Sequence, residues 1–275
     1  MPELPEVETI RKQLSKEVGG LSITDIWTDT PKMLRPSPKE ILPRVKGKRI
    51  RAVERRAKLL IFRLSGKENL VLHLRLTGQL LLAHPPDPTD PYLHVTLKLS
   101  DGRELRFNDS RKFGYLSLVE SDAELEKIIS GYGPEPLSDL TLKKFGGIVG
   151  KTRRRIKDLL LDQKAISGIG NIYANEALWL AKIHPLVPAS DLTDRQVARL
   201  YRAILKVLED GVRLGGATIA DEKYRNLYGK RGKYGEAVRV YQRKGKPCPR
   251  CGTLIEYLKV GQRGTFICKK CQVLD

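Results

Sequence analysis

The 275-residue chain is informative first for what it lacks. No apolar run approaches the roughly 20 residues that a membrane-crossing helix needs, which excludes a helical membrane protein. The opening, MPELPEVETI, has no basic stretch leading into an apolar one, so no secretory signal peptide is expected. Only four histidines occur, His73, His84, His94 and His184, and none lies in the His-Glu-x-x-His spacing of a zinc protease. A phosphate-cradling P-loop and a dinucleotide-binding glycine fingerprint are also missing. Acidic residues are scarce relative to basic ones, 32 Asp and Glu against 51 Lys and Arg, a formal charge of +19. Hydrophobic residues still make up 40%, enough for real cores, so the chain is not a disordered polycation. That excess of positive charge points to a polyanionic partner: DNA, RNA or an anionic surface.

Cysteine is confined to four positions, Cys248, Cys251, Cys268 and Cys271, in the spacing Cys-x2-Cys-x16-Cys-x2-Cys. Two knuckles of this kind bring four thiolates to one point, the ligand set of a tetrahedral zinc. Two disulfides are the competing reading, disfavoured because nothing indicates secretion and no cysteine lies elsewhere. Four protein ligands leave no open position for water, so one Zn2+ is expected in a structural role. Residues 253–266 should form a hairpin between the knuckles. It is too small for a core of its own, so the metal should supply much of its folding energy.

Residues 5–18 have the pattern of a helix. Pro5 suits its first position, Glu6 and Glu8 suit the positive end of its dipole, and Val7, Ile10, Leu14 and Val18 share a face. The next hundred residues change period. Segments 59–64, 70–76, 93–99, 104–107 and 115–119 are short apolar or alternating runs punctuated by Gly, Asp, Asn and Pro, the texture of an antiparallel sandwich or barrel. Gly133-Pro134-Glu135-Pro136-Leu137 makes a rigid turn and a linker. Helical periodicity then dominates at 155–161, 171–183 and 193–212, with Thr193 and Gln196 as a capping box. Residues 215–235 lack a clear period and form a long loop, a kind of segment that is often functional.

Of the +19, twelve units fall between Lys223 and Lys270, where 14 Lys and Arg meet 2 Asp and Glu. Lys151, Arg153, Arg154, Arg155 and Lys157 form a second cluster, and Arg51, Arg55, Arg56 and Lys58 a third. A single such run is as easily a solvated face; three in three modules favour a groove that tracks phosphates. Gly168-Ile169-Gly170-Asn171 opens a helix, where free N–H groups suit an anion, although a plain tight turn explains it equally.

Pro2 carries chemistry of its own. An initiator Met before Pro is normally removed, exposing a secondary amine. An α-amino group has a pKa of about 8, so a useful fraction is neutral near pH 7. A neutral secondary amine attacks an aldehyde-level carbon to form an iminium, and the neighbouring Glu3 can serve as acid or base. The alternative is that both residues simply lead into the helix.

The run Pro2-Glu3-Leu4-Pro5-Glu6-Val7-Glu8-Thr9 resembles the start of bacterial formamidopyrimidine-DNA glycosylases. The similarity continues at Arg55-Arg56-Ala57-Lys58, His73-Leu74-Arg75, Asp109-Ser110-Arg111-Lys112-Phe113-Gly114 and Gly133-Pro134-Glu135-Pro136-Leu137. It resumes at Gly168-Ile169-Gly170-Asn171-Ile172-Tyr173-Ala174, Val240-Tyr241, Gly245, Gln262-Arg263-Gly264-Thr265 and the four cysteines. The resemblance implies an α+β multidomain protein. An N-terminal antiparallel β-sandwich with a leading helix spans 1–132. A helix–two-turn–helix domain with a lesion-capping loop spans 133–237, and a four-cysteine zinc-finger β-hairpin spans 238–275.

The resemblance also implies a reaction. Pro2 attacks C1′ of a damaged nucleoside and releases the base, and Glu3 protonates the sugar ring oxygen. The iminium then allows β-elimination of the 3′ phosphate and δ-elimination of the 5′ phosphate, assisted by Lys58 and Arg263. The target atom is unreachable in a stacked duplex, so the base must be flipped out. Leu76, Arg111 and Phe113 would fill the hole. The family usually has Met where Leu76 stands, and Leu is still an apolar wedge. As residues alone, Leu76 is equally a strand-core side chain and Phe113 a turn-packing aromatic. Phosphate clamping would fall to Lys58, His73, Asn171 and Arg263, with His94 and Arg155 in the same role. The partner implied is double-stranded DNA containing oxidised bases or abasic sites, with a monomeric, cytoplasmic, nucleoid-associated protein and no catalytic metal.

Two rivals remain. One is an endonuclease VIII-like enzyme for oxidised pyrimidines, against which Leu4 and the Arg-x-Phe-Gly loop weigh. The other is a non-catalytic zinc-ribbon protein that binds nucleic acid and does no covalent chemistry.

Overall fold

The computed structural model describes residues 2–220 and 223–274. The chain divides into two units, 1–131 with 212–236, and 132–211 with 237–275. The resemblance places the loop 215–235 in the helical domain, 133–237. In the structure it belongs with the sheet unit, because its backbone and side chains bond there.

The first unit opens with α1 (Leu4–Glu17), one residue earlier than the position of Pro5 suggests. Strands β1 (Ile23–Thr28) and β2 (Leu34–Arg35), helix α2 (Pro38–Val45) and strand β3 (Ile50–Arg56) follow. Then come β4 (Leu59–Leu64), β5 (Asn69–His73), β6 (Gly78–Ala83), β7 (Leu93–Leu99), β8 (Glu104–Asp109), β9 (Tyr115–Val119) and α3 (Asp122–Ile129). They build a four-stranded sheet ordered β1-β7-β8-β6 and a five-stranded sheet ordered β2-β9-β5-β4-β3. All pairings are antiparallel except the two-residue β2–β9 pair, which is parallel. One core joins Val7, Ile10 and Leu14 of α1 to Phe62 and Leu72 of one sheet and Leu97 and Phe107 of the other. Tyr224 and Leu227, from the returning segment, are part of that core.

That segment is also tied by hydrogen bonds. Ala217 donates its N–H to Glu6 Oε1 at 2.7 Å, Leu227 donates to Gln13 Oε1 at 3.0 Å, and Leu82 donates to the Leu227 carbonyl at 2.9 Å. A loop without periodicity has no pattern by which a sequence could declare this, since each tie is a single polar atom.

The second unit contains α4 (Leu142–Val149), α5 (Ile156–Leu161), α6 (Asn171–Leu180) and α7 (Asp194–Arg213), then the hairpin β10 (Glu256–Val260) and β11 (Arg263–Ile267). The Thr193–Gln196 capping box forms: the Thr193 N–H reaches Gln196 Oε1 at 2.8 Å, and the Gln196 N–H reaches Thr193 Oγ1 at 3.3 Å. The hairpin turn is Gly261-Gln262, and Gly261 takes φ +56°, the left-handed value its first position asks for. Among the described residues no helix is long and apolar enough to cross a membrane.

Candidate functional site

In the sheet unit, Pro2 and Glu3 are both buried at the start of α1. Glu3 is the residue before the helix and forms a reciprocal capping box with Glu6; the Glu3 N–H reaches Glu6 Oε2 at 2.8 Å. The other oxygen of Glu6 holds Ala217. One buried carboxylate thus anchors both the N-terminal Pro-Glu pair and the returning segment. Tyr224, whose hydroxyl donates to the Gly215 carbonyl at 3.1 Å, has its ionisation pushed well above the usual range by burial and by the Glu6 charge.

Lys58 sits in the two-residue turn between β3 and β4, where Arg56 pairs with Leu59, and it is 6% exposed. The register Leu59–His73–Tyr115 puts Lys58, His73 and Tyr115 at one end of the five-stranded sheet. His73 stacks at a tilt on Tyr115, with ring centroids 5.8 Å apart. Burial first, then the charges of Arg75 and Lys58, lower the His73 pKa to about 3. Its Nδ1 accepts the Arg75 N–H at 2.9 Å, so the proton of the neutral ring belongs on Nε2. His73 is therefore a neutral N–H donor that adds no charge to this end of the sheet.

The basic cluster 51–58 is solvated only in part: Arg51 is exposed, while Arg55 and Lys58 are tucked in. The Arg55 side chain is 8% exposed, pairs with Glu8 at 2.9 Å and donates to the Ala57 carbonyl at 2.8 Å. His94, grouped with the phosphate ligands by resemblance, lies buried in β7 with Nδ1 2.9 Å from Asp29 Oδ1 and 3.3 Å from Thr30 Oγ1.

Leu76 is not strand core. β5 stops at His73, and residues 75–77 form a turn in which Leu76 is half-buried. Nor is Phe113 packed in its turn, for it is 52% exposed. The Arg111 guanidinium lies over its ring, 4.7 Å from the centroid. Left-handed backbone marks all three turns: Ala57, Arg75 and Lys112 have φ of 53°, 55° and 56°. Non-glycine residues there cost about 1–3 kcal/mol each and persist where the surroundings over-determine them. Two glycines permit the close packing. A Cβ on Gly78 would collide with the Leu74 carbonyl oxygen, and one on Gly114 with the Phe107 ring.

In the helical unit, Asn171 opens α6 and donates Nδ2 to the Gly264 carbonyl at 3.0 Å. Lys157, counted in the sequence with the phosphate-tracking cluster, is fully buried. It donates to the same carbonyl at 3.0 Å and to Thr265 Oγ1 at 2.6 Å. Asn175 Oδ1 accepts the Phe266 N–H at 2.8 Å. Three side chains of α5 and α6 thus fix the strand that begins with Arg263, which is itself exposed at the hairpin tip. Arg155 is exposed and held by Asp158 of its own helix at 3.1 Å.

The four cysteine Sγ atoms lie within 4.8 Å of one another, and Trp179 donates Nε1 to Cys248 Sγ at 3.4 Å. Tetrahedral zinc at about 2.3 Å from each sulfur spaces the sulfurs by roughly 3.8 Å, so the set fits one structural ion. Trp179, Val240, Cys248, Ile255 and Cys268 form a small core, so the hairpin shares apolar packing with α6. Glu176, wholly buried, accepts the N–H groups of Arg239, Val240 and Tyr241, each at 2.9 Å. Its carboxyl is pushed up by burial against the pull of those three bonds.

A helix-led β-sandwich, a helical unit and a four-cysteine zinc hairpin in one chain define the class: helix–two-turn–helix proteins with a C-terminal zinc finger. Family models agree segment by segment. Residues 1–116 match the formamidopyrimidine-DNA glycosylase N-terminal domain, 132–223 its H2TH domain, and 245–273 the zinc finger found in FPG and IleRS. Formamidopyrimidine-DNA glycosylase of Chloroflexus aggregans is 48% identical over 276 residues, covering 100% of this chain and 99% of that protein. The protein of the same name from Herpetosiphon aurantiacus is 43% identical, over 99% and 100%. The Lactococcus lactis Fpg in complex with DNA containing an abasic site superposes with a TM-score of 0.93 at 36% identity, covering 99% of this chain and 100% of that one. The chain belongs to the formamidopyrimidine-DNA glycosylase family.

Proposed function

We propose that the protein is a bifunctional DNA glycosylase and abasic-site lyase of base-excision repair. It excises oxidised purines, 8-oxoguanine and formamidopyrimidines, from duplex DNA. Freed of Met1, Pro2 attacks C1′ as a neutral secondary amine, and the base leaves as the iminium forms. Glu3 protonates the ring oxygen. Lys58 and Arg263 assist β- and δ-elimination, leaving a one-nucleotide gap. Leu76, Arg111 and Phe113 occupy the space of the flipped nucleotide. Lys58, His73, Asn171 and Arg263 hold phosphates, with His94 and Arg155 in lesser roles. The returning segment, 218–234, covers the flipped base. The protein works as a monomer on cytoplasmic, nucleoid DNA.

The observation that carries this reading is the Pro2-Glu3 pair, buried and pinned through Glu6, when most chain starts are loosely held. It is supported by the relatives' names and by Lactococcus lactis Fpg complexes with DNA containing an abasic site, N7-benzyl-Fapy-dG or an oxidised pyrimidine. The last makes pyrimidine lesions the natural competitor. Side-by-side excision of 8-oxoguanine and thymine glycol should favour 8-oxoguanine and leave phosphate at both ends of the gap. Preference for thymine glycol would move the chain to pyrimidine repair.

A further inference from the structure

The two turns that carry Leu76 and the Arg111–Phe113 pair come from different strand connections, yet one buried carboxylate holds both. Asp109, at the end of β8, is 1% exposed. Its Oδ1 accepts the Arg111 N–H at 3.1 Å, and its Oδ2 accepts the N–H groups of Phe113 at 2.9 Å and Gly114 at 2.7 Å. Oδ1 also takes the hydroxyl of buried Thr77, the neighbour of Leu76 in the other turn. The register pairs Gly78 directly with Asp109, so the two turns leave the sheet side by side.

A carboxylate is suited to this because it only accepts, and four donors converge on it. An amide in its place would present an NH2 to at least one of them. The two turns also include Arg75 and Lys112, both left-handed, so they are held in conformations they would not keep unassisted.

We propose that Asp109 and Thr77 form a bracket that couples the two turns, so that Leu76, Arg111 and Phe113 enter the duplex as one preassembled wedge. Asp109 and Thr77 are positioning residues: they set the geometry of side chains that replace the base and do not touch the reacting atoms. The inference rests on the proposed role of those three side chains and adds the residues that make them a unit. Its consequence is selective. Unstacking a base is the step a wedge assists, and an abasic site has no base to unstack.

The test uses the full-length enzyme with Thr77→Val, Thr77→Ser and Asp109→Asn on two duplexes, one with 8-oxoguanine opposite cytosine and one with a preformed abasic site. Thr77→Val removes the hydroxyl at nearly constant volume. It should lower kcat for 8-oxoguanine excision by on the order of 10-fold with KM little changed, while cleavage at the abasic site stays within about 3-fold. A 2-aminopurine beside the lesion should report slower unstacking in the same variant. Thr77→Ser should restore both readouts, and Asp109→Asn should exceed Thr77→Val in the same direction. Equal loss on both duplexes would make the bonds merely structural and overturn the inference, as would wild-type kinetics in Thr77→Val. Failure of the wild-type enzyme to cleave the abasic duplex would instead sink the functional reading on which the bracket depends.

Discussion

His73 offers a quantitative test of the electrostatics at the sheet end. Its folded pKa lies near 3, against 6.5 for a free imidazole, because the ring is buried and faces Arg75 and Lys58. A folded pKa depressed below the unfolded one means that the native state binds fewer protons. The stability it contributes is complete above pH 6.5 and is lost as pH falls from 6.5 towards 3. At about 1.4 kcal/mol per pK unit the full window is worth about 5 kcal/mol, and the limiting slope is about 1.4 kcal/mol per pH unit. His73→Asn is the matched control. Its side-chain oxygen can accept the Arg75 N–H in place of Nδ1, and it does not titrate. Urea unfolding at pH 7.0 and 4.5 should show wild type losing roughly 2.5 kcal/mol more than His73→Asn over that interval. Parallel pH curves, or an imidazole resonance titrating near 6.5 in the folded protein, would refute the reasoning.

Other consequences can be checked singly. Glu176→Ala strands three N–H groups, that of Val240 buried and those of Arg239 and Tyr241 partly so, at up to about 1–3 kcal/mol each, so chemical denaturation should show a loss of roughly 2–5 kcal/mol. Stripping zinc with a chelator should free residues 256–267 to rapid amide exchange and lower strand cleavage on the order of 10-fold, through loss of the Arg263 position, with recovery on adding zinc. Ala57→Gly relieves a left-handed alanine and should raise stability by about 0.5–1 kcal/mol in a thermal melt, while strand cleavage slows because the Lys58 turn is less fixed.

How much of the fold and site is legible in the sequence depends on burial. All five interior strands, β4, β5, β7, β8 and β9, announce themselves as apolar runs, because both of their neighbours are strands. The four edge strands of the two larger sheets, β1, β2, β3 and β6, do not. β3 reads IRAVERR, with only Ile50 and Val53 buried, and an edge tolerates such charge. Among the described residues, the helices that periodicity misses are short: α2, α3 and α4 have eight residues each, barely two turns, and Tyr234–Ala237 is a single turn. The zinc ligands are fully legible, since their spacing is the signal. Asp109 stands in a legible motif that gives it no role of its own. Its signal is that of a carboxylate opening a turn, and only coordinates tell which N–H groups it takes. Lys157 reads like its charged neighbours, because composition cannot distinguish an ammonium facing solvent from one buried against a carbonyl.

The central claim is that the chain's own second residue becomes covalently bound to the damaged sugar. Borohydride reduction during turnover of an 8-oxoguanine duplex tests it most directly, using protein whose intact mass shows that Met1 is gone. The account predicts a stable one-to-one protein–DNA adduct whose modified peptide begins at Pro2, absent when Met1 is retained and the nitrogen is an amide. An adduct mapped to a lysine, or no adduct from protein that binds the duplex, would contradict it.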